Sequence, residues 1–152
     1  LKRWLLHLAA GYTDADYIDY TVGTTEGDED RSDEPFPLVP QSTASLSVQY
    51  SLQTGMGIIT PRLFYYWRDE LYTGQDGDGP LFSTTTIKAQ GVVGFRLSYL
   101  SPDENLRLTA YVDNATDAFY YGGGFGITRS YGAVLHAVAP PRRYGLEFQY
   151  RF

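Results

Sequence analysis

Cysteine is absent from the 152 residues. That removes a disulfide framework, cysteine-based zinc sites and any thiol nucleophile, and leaves the redox compartment open. No apolar run approaches the ~18 residues of a membrane-spanning helix, although 43% of the chain is hydrophobic. Helical spans are therefore excluded, while β-barrels are untouched, because their lipid-facing residues alternate with polar ones. Helical periodicity is missing at any useful length, so the chain reads as all-β. Only two histidines occur, His7 and His136. Neither can be placed in a Ser-His-Asp spacing, so no catalytic residue is assigned and an enzyme is not expected. A basic face is also lacking: the net charge is −6, which speaks against a nucleic-acid partner. There is no initiating methionine and no signal peptide, since the chain opens on Leu1-Lys2-Arg3-Trp4. The expectation is that any export signal lies upstream and that the chain is a fragment.

What is present is aromatic and alternating. Fourteen tyrosines, eight phenylalanines and two tryptophans accompany sixteen glycines. Six segments show a period of two, which places successive residues on opposite faces of a strand. The first, Lys2 to Tyr12, puts Trp4, Leu6, Leu8, Ala10 and Tyr12 on one face. The second, about Ser42 to Gln53, sets Ala44, Leu46, Val48, Tyr50 and Leu52 against Thr43, Ser45, Ser47, Gln49 and Ser51. The third, Gly57 to Tyr72, is the least regular. Pro61 predicts a bulge or a missing ladder bond, and Phe64 and Tyr66 interrupt its polar face. The fourth, Thr84 to Leu100, sets Ile87, Ala89, Val93, Phe95, Leu97 and Tyr99 against Thr86, Lys88, Gln90, Arg96 and Ser98. The fifth, Asn105 to about Tyr120, carries Leu106, Leu108, Ala110 and Val112 on one side. The last, Arg142 to Phe152, alternates Tyr144, Leu146, Phe148, Tyr150 and Phe152 with Gly145, Glu147, Gln149 and Arg151.

The connections differ systematically in length. Gln53-Thr54-Gly55-Met56-Gly57 and Ser101-Pro102-Asp103-Glu104-Asn105 are tight turns by their glycine and proline–acid chemistry. The other three connections, Thr21 to Gln41, Thr73 to Ser83 and Tyr121 to Pro141, are long. Short turns at one end and long loops at the other characterise an outer-membrane barrel, with periplasmic turns and extracellular loops. A soluble sandwich has no reason to segregate loop length in this way. The expected fold is an antiparallel transmembrane β-barrel.

Particular residues then carry a resemblance to a family. The stretch from Leu106 to Asn114-Ala115-Thr116-Asp117, followed by Phe119-Tyr120, resembles the penultimate strand of TonB-dependent outer-membrane receptors, with Ala115 where leucine is usual. Pro140-Pro141-Arg142-Arg143-Tyr144-Gly145 resembles the start of their final strand, and the terminal Phe152 resembles their closing aromatic. Pro35-Phe36-Pro37-Leu38-Val39-Pro40 is similar to the proline-marked return of an extracellular loop in these receptors. The resemblance implies that residues 1–152 are the last six strands of an expected ~22-stranded barrel with a plugged lumen. The plug and the TonB box would be absent from this chain, which could not close alone. It further implies a bacterial outer-membrane receptor that binds a scarce nutrient, siderophore-like or another small solute, at its extracellular loops and imports it with energy from TonB. Partners implied are outer-membrane lipid, the remaining strands and plug, TonB and the barrel-assembly machinery. A structural or adhesive outer-membrane barrel without transport is the alternative. On the resemblance, Tyr144, Leu146, Phe148, Tyr150 and Phe152 form the assembly signal.

Candidate ligand contacts lie in the last long loop: Tyr120, Tyr121, Phe125, Arg129, Tyr131 and His136. Its glycines, Gly122, Gly123, Gly124 and Gly126, would let it fold over a solute. Phe119, Tyr120 and Tyr121 fit equally an aromatic girdle at the outer interface. Asn114 and Asp117 are expected to brace the backbone where a strand leaves the membrane, through Asx-turn chemistry. No metal site or cofactor is assigned. Asp76-Gly77-Asp78-Gly79 begins like a calcium loop, but the twelfth position is Ile87 where a bidentate glutamate is required. The acidic run from Glu26 to Glu34 is expected to be a solvated loop. Arg62, Arg68, Arg96, Arg107, Arg143 and Arg151, with Glu70, Asp113 and Glu147, are expected to form an inward ladder of charge.

Overall fold

The computed structural model describes residues 3–74, 86–127 and 133–152. Six strands form one antiparallel sheet: β1 (Arg3–Tyr12), β4 (Ser42–Thr54), β5 (Gly57–Arg68), β8 (Gln90–Leu100), β9 (Leu106–Asp113) and β12 (Arg143–Tyr150). Their spatial order follows their order in the chain, so the sheet is a simple meander. The long connections carry two-stranded ladders of their own: β2 (Thr21–Thr24) with β3 (Gly27–Asp30), β6 (Leu71–Tyr72) with β7 (Thr86–Ile87), and β10 (Tyr121–Ile127) with β11 (Ala133–Val138).

Parity is kept across every ladder of the sheet. Leu6 pairs with Val48, Val48 with Leu63, Leu63 with Phe95, Phe95 with Val112 and Val112 with Tyr144. One row of apolar side chains thus runs unbroken over all six strands. The opposite face carries Ser47, Gln49, Arg62, Arg96, Ser98, Thr109, Asp113 and Arg143. A one-residue slip at any ladder would exchange the two faces. The apolar face is left uncovered by the described residues: Leu8 is 72% and Leu146 86% exposed. Twelve residues in β5, tilted by roughly 45°, suffice to cross a bilayer's hydrocarbon. Aromatic side chains cluster towards both ends of this face. Trp4 packs at a tilt on Tyr50 with ring centroids 4.6 Å apart, and Tyr150 meets Phe152 edge-on at 5.2 Å, on the short-turn side. Tyr12, Trp67 and Tyr144 stand towards the long-loop side. Six strands cannot close on themselves, since small barrels need about eight, and β1 and β12 each present an open edge.

Pro61 resolves simply. The β4–β5 pairing passes from Gln49–Arg62 to Leu52–Ile59 without a register shift, so the proline removes a ladder bond and creates no bulge. Phe64, which interrupts the polar face, lies over Gly94 on the neighbouring strand, where any Cβ would collide with its ring. Arg96 then stacks on two rings of that face, its Cζ 5.6 Å from the Tyr111 centroid and 6.0 Å from that of Phe64.

Several strand limits are shorter than the alternation suggests. The third strand leaves the sheet at Arg68, because Asp69 caps its own successor (Glu70 N–H to Asp69 Oδ1, 2.9 Å) and β6 turns away to pair with β7. The fourth is broken at residues 88–89, so Ile87 belongs to β7 and not to the apolar row of the sheet. With Leu71 and Tyr72, Ile87 (3% exposed) makes up the buried hydrophobic core of the described residues. That core sits in the rim, beneath the long loops, and not in the wall. The fifth strand ends at Asp113, because Asn114 (φ 51°) and Asp117 (φ 54°) adopt left-handed conformations that a strand cannot hold.

The acidic run is more ordered than a solvated loop. Thr24-Thr25-Glu26-Gly27 repeats the turn of Thr54-Gly55-Met56-Gly57. In both, the threonine hydroxyl donates to the glycine carbonyl (2.7 and 2.8 Å) and accepts the N–H before that glycine, at 3.2 Å. Gly27 and Gly57 take φ of 126° and 128°, a region closed to most other residues. Arg31 is buried and paired with Glu29 (3.2 Å) and Glu34 (3.1 Å).

Arginine at Leu46 or Leu97 should destabilise the full-length protein by ~2–4 kcal/mol if these positions face mid-bilayer lipid. Arginine at Ser47, on the other face, should cost little. Urea titration of folding into lipid vesicles measures both, and equal effects at Leu46 and Ser47 would refute the assignment of faces.

Candidate functional site

The long-loop end of the sheet is where polar chemistry concentrates. As β9 ends, Asn114 (3% exposed) turns its side chain inward. Its Oδ1 accepts the Ala118 N–H at 2.9 Å, and its Nδ2 donates to the carbonyls of Ala118 (2.9 Å) and Pro140 (3.4 Å). The Ala115 N–H donates to the Val93 carbonyl at 2.8 Å, extending the β8–β9 pairing by one bond. Asp117 caps the start of the next strand: its Oδ1 accepts the Arg142 N–H at 3.0 Å, and its Oδ2 lies 3.6 Å from Arg142 Nη2. Asn114 and Asp117 therefore clasp the exit of β9 to the start of β12, around the base of the β10–β11 hairpin. Asp113 stands between Arg96 (3.9 Å) and Arg143 (3.6 Å) on the polar face.

The hairpin is docked against the rim at two points. Arg68, the last residue of β5 and only 6% exposed, donates from Nη2 to the Tyr121 carbonyl at 2.7 Å. With the Gln90 amide turned so that its oxygen meets Arg68, that oxygen lies 2.8 Å from Nε and 3.0 Å from Nη2. Further along, Gly124 packs close to Thr73 and to the His136 ring. A Cβ there would stand 2.7 Å from His136 Cδ2 and 3.2 Å from Thr73 Cγ2. Gly123 and Gly124 are thus strand residues paired into β11, Gly122 sits at the bulge between Tyr121 and Gly123, and the smallness of Gly124 lets the hairpin pack closely.

A cavity of about 510 Å³ opens between this hairpin and the β7–β8 connection, with Lys88, Gln90, Phe119, Tyr120, Tyr121 and His136 among its walls. Phe119 meets Tyr121 edge-on at 5.4 Å, and Tyr121 packs on His136 at 4.6 Å. His136 Nε2 is buried with no hydrogen-bond partner among the described residues. Beside it lies a second cavity of about 340 Å³, bordered by Asp14, Asp16, Asp69 and Glu70, and Thr86 belongs to both. Around the first loop, Tyr17 stacks on Tyr20 (4.6 Å) and packs at a tilt against Phe36 (4.9 Å). Burial, then the neighbouring Tyr20 and Glu34, raise its phenol pKa. The Ser32 hydroxyl and backbone N–H hold the Asp30 carboxyl below the usual aspartate range. Among the described residues no group of three or more acidic or histidine side chains is arranged to hold a metal.

Of the ligand-loop residues expected from sequence, Tyr120, Tyr121 and His136 come together at the 510 Å³ cavity. Phe125 is exposed on the outer part of the hairpin, opposite Leu135, and does not line it. Arg129 and Tyr131 lie outside the described residues, as does Asp76-Gly77-Asp78-Gly79. Sequence reading missed Lys88, Gln90 and Arg68 as neighbours of this site. Gln90 and Arg68 pair across the ladder, and a pairing register is what their spacing of twenty-two positions could not reveal. The closing strand exposes Tyr144, Leu146, Phe148 and Tyr150 on its apolar face. Phe152 lies just past its end.

Residues 2–115 match the family described as TonB dependent receptor-like, β-barrel. Two solved structures share the fold. The siderophore receptor PiuA from Acinetobacter baumannii superposes with a TM-score of 0.73 over 97% of this chain at 16% identity. The ferric yersiniabactin uptake receptor FyuA from Yersinia pestis superposes with a TM-score of 0.63 over 82% of this chain at 21% identity. This chain spans 19% of the length of each. No curated protein matches it.

Replacing Asn114 with alanine strips the Ala118 and Pro140 carbonyls and the Ala118 N–H of their part-buried partner, and should destabilise the full-length protein by about 1–3 kcal/mol. Asn114→Asp should be no better, since it turns a carboxylate towards the Ala118 and Pro140 carbonyls. Denaturant titration checks this, and losses below about 0.5 kcal/mol in both variants, the scale of a neutral surface change, would refute the clasp.

Proposed function

From the premise that this chain belongs to the TonB dependent receptor-like β-barrel family, we propose that residues 1–152 form the last six strands of a ~22-stranded outer-membrane receptor whose lumen is plugged. The receptor binds a scarce nutrient, siderophore-like or another small solute, at its extracellular rim and imports it with energy delivered through TonB. Plug and TonB box belong to other parts of the full-length protein. The single observation that carries ligand capture is the aromatic cavity at the long-loop end, walled by Phe119, Tyr120, Tyr121 and His136. A wall serving only as scaffold or adhesin needs no such concavity beneath its last hairpin. Aromatic walls with a few convergent polar groups are what small-molecule sites use for affinity and orientation. The charged side chains of the polar face, Arg62, Arg96, Arg107, Asp113, Arg143 and Glu147, line a watery, plug-filled interior and require no substrate of their own. No enzymatic step is proposed.

The rim's role is tested by uptake. In cells expressing the full-length protein, Phe119→Ala with Tyr121→Ala should lower accumulation of radiolabelled ferric siderophores, assayed as a panel at limiting concentration, by about tenfold, the effect of ~1.4 kcal/mol in lost contacts. Outer-membrane levels of the protein should be unchanged. Wild-type cells that accumulate nothing beyond a deletion strain, under iron starvation and across small-solute panels alike, would favour the structural or adhesive alternative.

Assembly is tested at the chain's end. Tyr144, Leu146, Phe148, Tyr150 and Phe152 are proposed as the signal read by the barrel-assembly machinery. Deleting Phe152 or changing it to Asp should reduce heat-modifiable protein in the outer membrane far more than changing Arg151. Equal levels in the two variants would count against the signal.

A further inference from the structure

Charge at the rim is segregated in a way that aromatic lining alone does not require. The chain carries a net charge of −6, and the 340 Å³ cavity follows that bias: among the described residues Asp14, Asp16, Asp69 and Glu70 border it with no Lys or Arg. Across Thr86 the sign reverses. Among the described residues no Asp or Glu lines the 510 Å³ aromatic cavity, and Lys88 is the one Lys or Arg that does. Lys88 is exposed and makes no ion pair with any described residue. Immediately behind the Gln90 and Tyr121 walls lies a second cation, the buried Arg68. Its described partners are the neutral Tyr121 carbonyl and Gln90 amide, with no carboxylate. A buried guanidinium without a counter-charge is costly, and its field extends through low-dielectric surroundings into the adjoining space.

We infer that the aromatic cavity selects a planar aromatic group bearing an anionic substituent, a carboxylate or its equivalent. Lys88 meets the charge, Phe119 and Tyr121 meet the ring, and Arg68 supplies a fixed positive potential from behind the wall. The neighbouring acidic cavity repels the same group and so narrows where it can settle. This specificity rests on the rim being the ligand-binding end, as proposed above, and adds the chemical class of what binds there.

The test uses the full-length protein in lipid nanodiscs, with benzoate and its neutral isostere benzamide as probes, their affinities measured by saturation-transfer NMR titration. Benzoate should bind at least about tenfold more tightly than benzamide, the scale of one charge-assisted hydrogen bond. Lys88→Gln, at an exposed position, should abolish that preference, and Lys88→Arg should restore it. Gln90→Glu should also weaken the preference, because it gives Arg68 a carboxylate partner without removing either cation. Equal affinity for the two probes, no binding of either, or a preference that survives Lys88→Gln would overturn the inference. Those outcomes leave the receptor reading intact if siderophore or solute uptake remains sensitive to Phe119 and Tyr121. Loss of uptake sensitivity alongside preserved benzoate selectivity would instead overturn the receptor reading.

Discussion

Hydrocarbon offers no hydrogen bonds, so every backbone N–H and C=O of a lipid-facing strand has to be satisfied by a neighbouring strand. From that constraint the rest of this wall follows. Pairing must be continuous, and continuous pairing with strict parity carries the row Leu6–Val48–Leu63–Phe95–Val112–Tyr144 across all six strands. Pro61, which cannot donate, interrupts the β4–β5 pairing without shifting register. The same constraint leaves β1 and β12, with their open edges, as the places where further strands must pair. Hydrophobic burial, which organises a soluble domain, is displaced to the rim, where Leu71, Tyr72 and Ile87 are shielded by loops.

Beyond the hydrocarbon, side chains and water can satisfy the backbone, and the geometry changes accordingly. Asn114 and Asp117 accept left-handed conformations and repay the lost ladder with side-chain bonds to Ala118, Pro140 and Arg142. Thr24 and Thr54 close their turns in the same manner. Buried charge also becomes tolerable there: Arg31 is held by Glu29 and Glu34, and Arg68 by a carbonyl and an amide. The candidate ligand cavity belongs to this zone because only here can the chain depart from regular pairing and still leave its polar groups partnered.

How far the residues foretold the result varies with the kind of interaction. The alternation of Ala44 to Leu52 and of Tyr144 to Tyr150 announced both faces, since a period of two is local and needs no partner to be read. The two short turns announced the meander. Strand ends were harder. Nothing local separates Ile87 from Val93 as an apolar residue on an alternating run, yet one is buried beside Leu71 and the other pairs with Tyr65 in the wall. The acidic run read as mobile because like charges repel, but Arg31 reverses that when its two carboxylate partners are brought around it. Among the glycines of the last loop, read as freedom, Gly124 also gives clearance, letting a strand approach Thr73 and His136.

The sequence by itself determined that this is an antiparallel barrel wall, which of its faces is apolar, and at which end the long loops stand. All of these depend on residue spacing within one strand or on the length of one connection. Only the tertiary structure decided that Arg68 reaches Tyr121 across fifty-three positions, that Lys88 and His136 border one cavity, and that cationic and acidic hollows adjoin at Thr86. Those juxtapositions are set by ladder register and by the docking of one hairpin on another, quantities that no single segment of the chain contains.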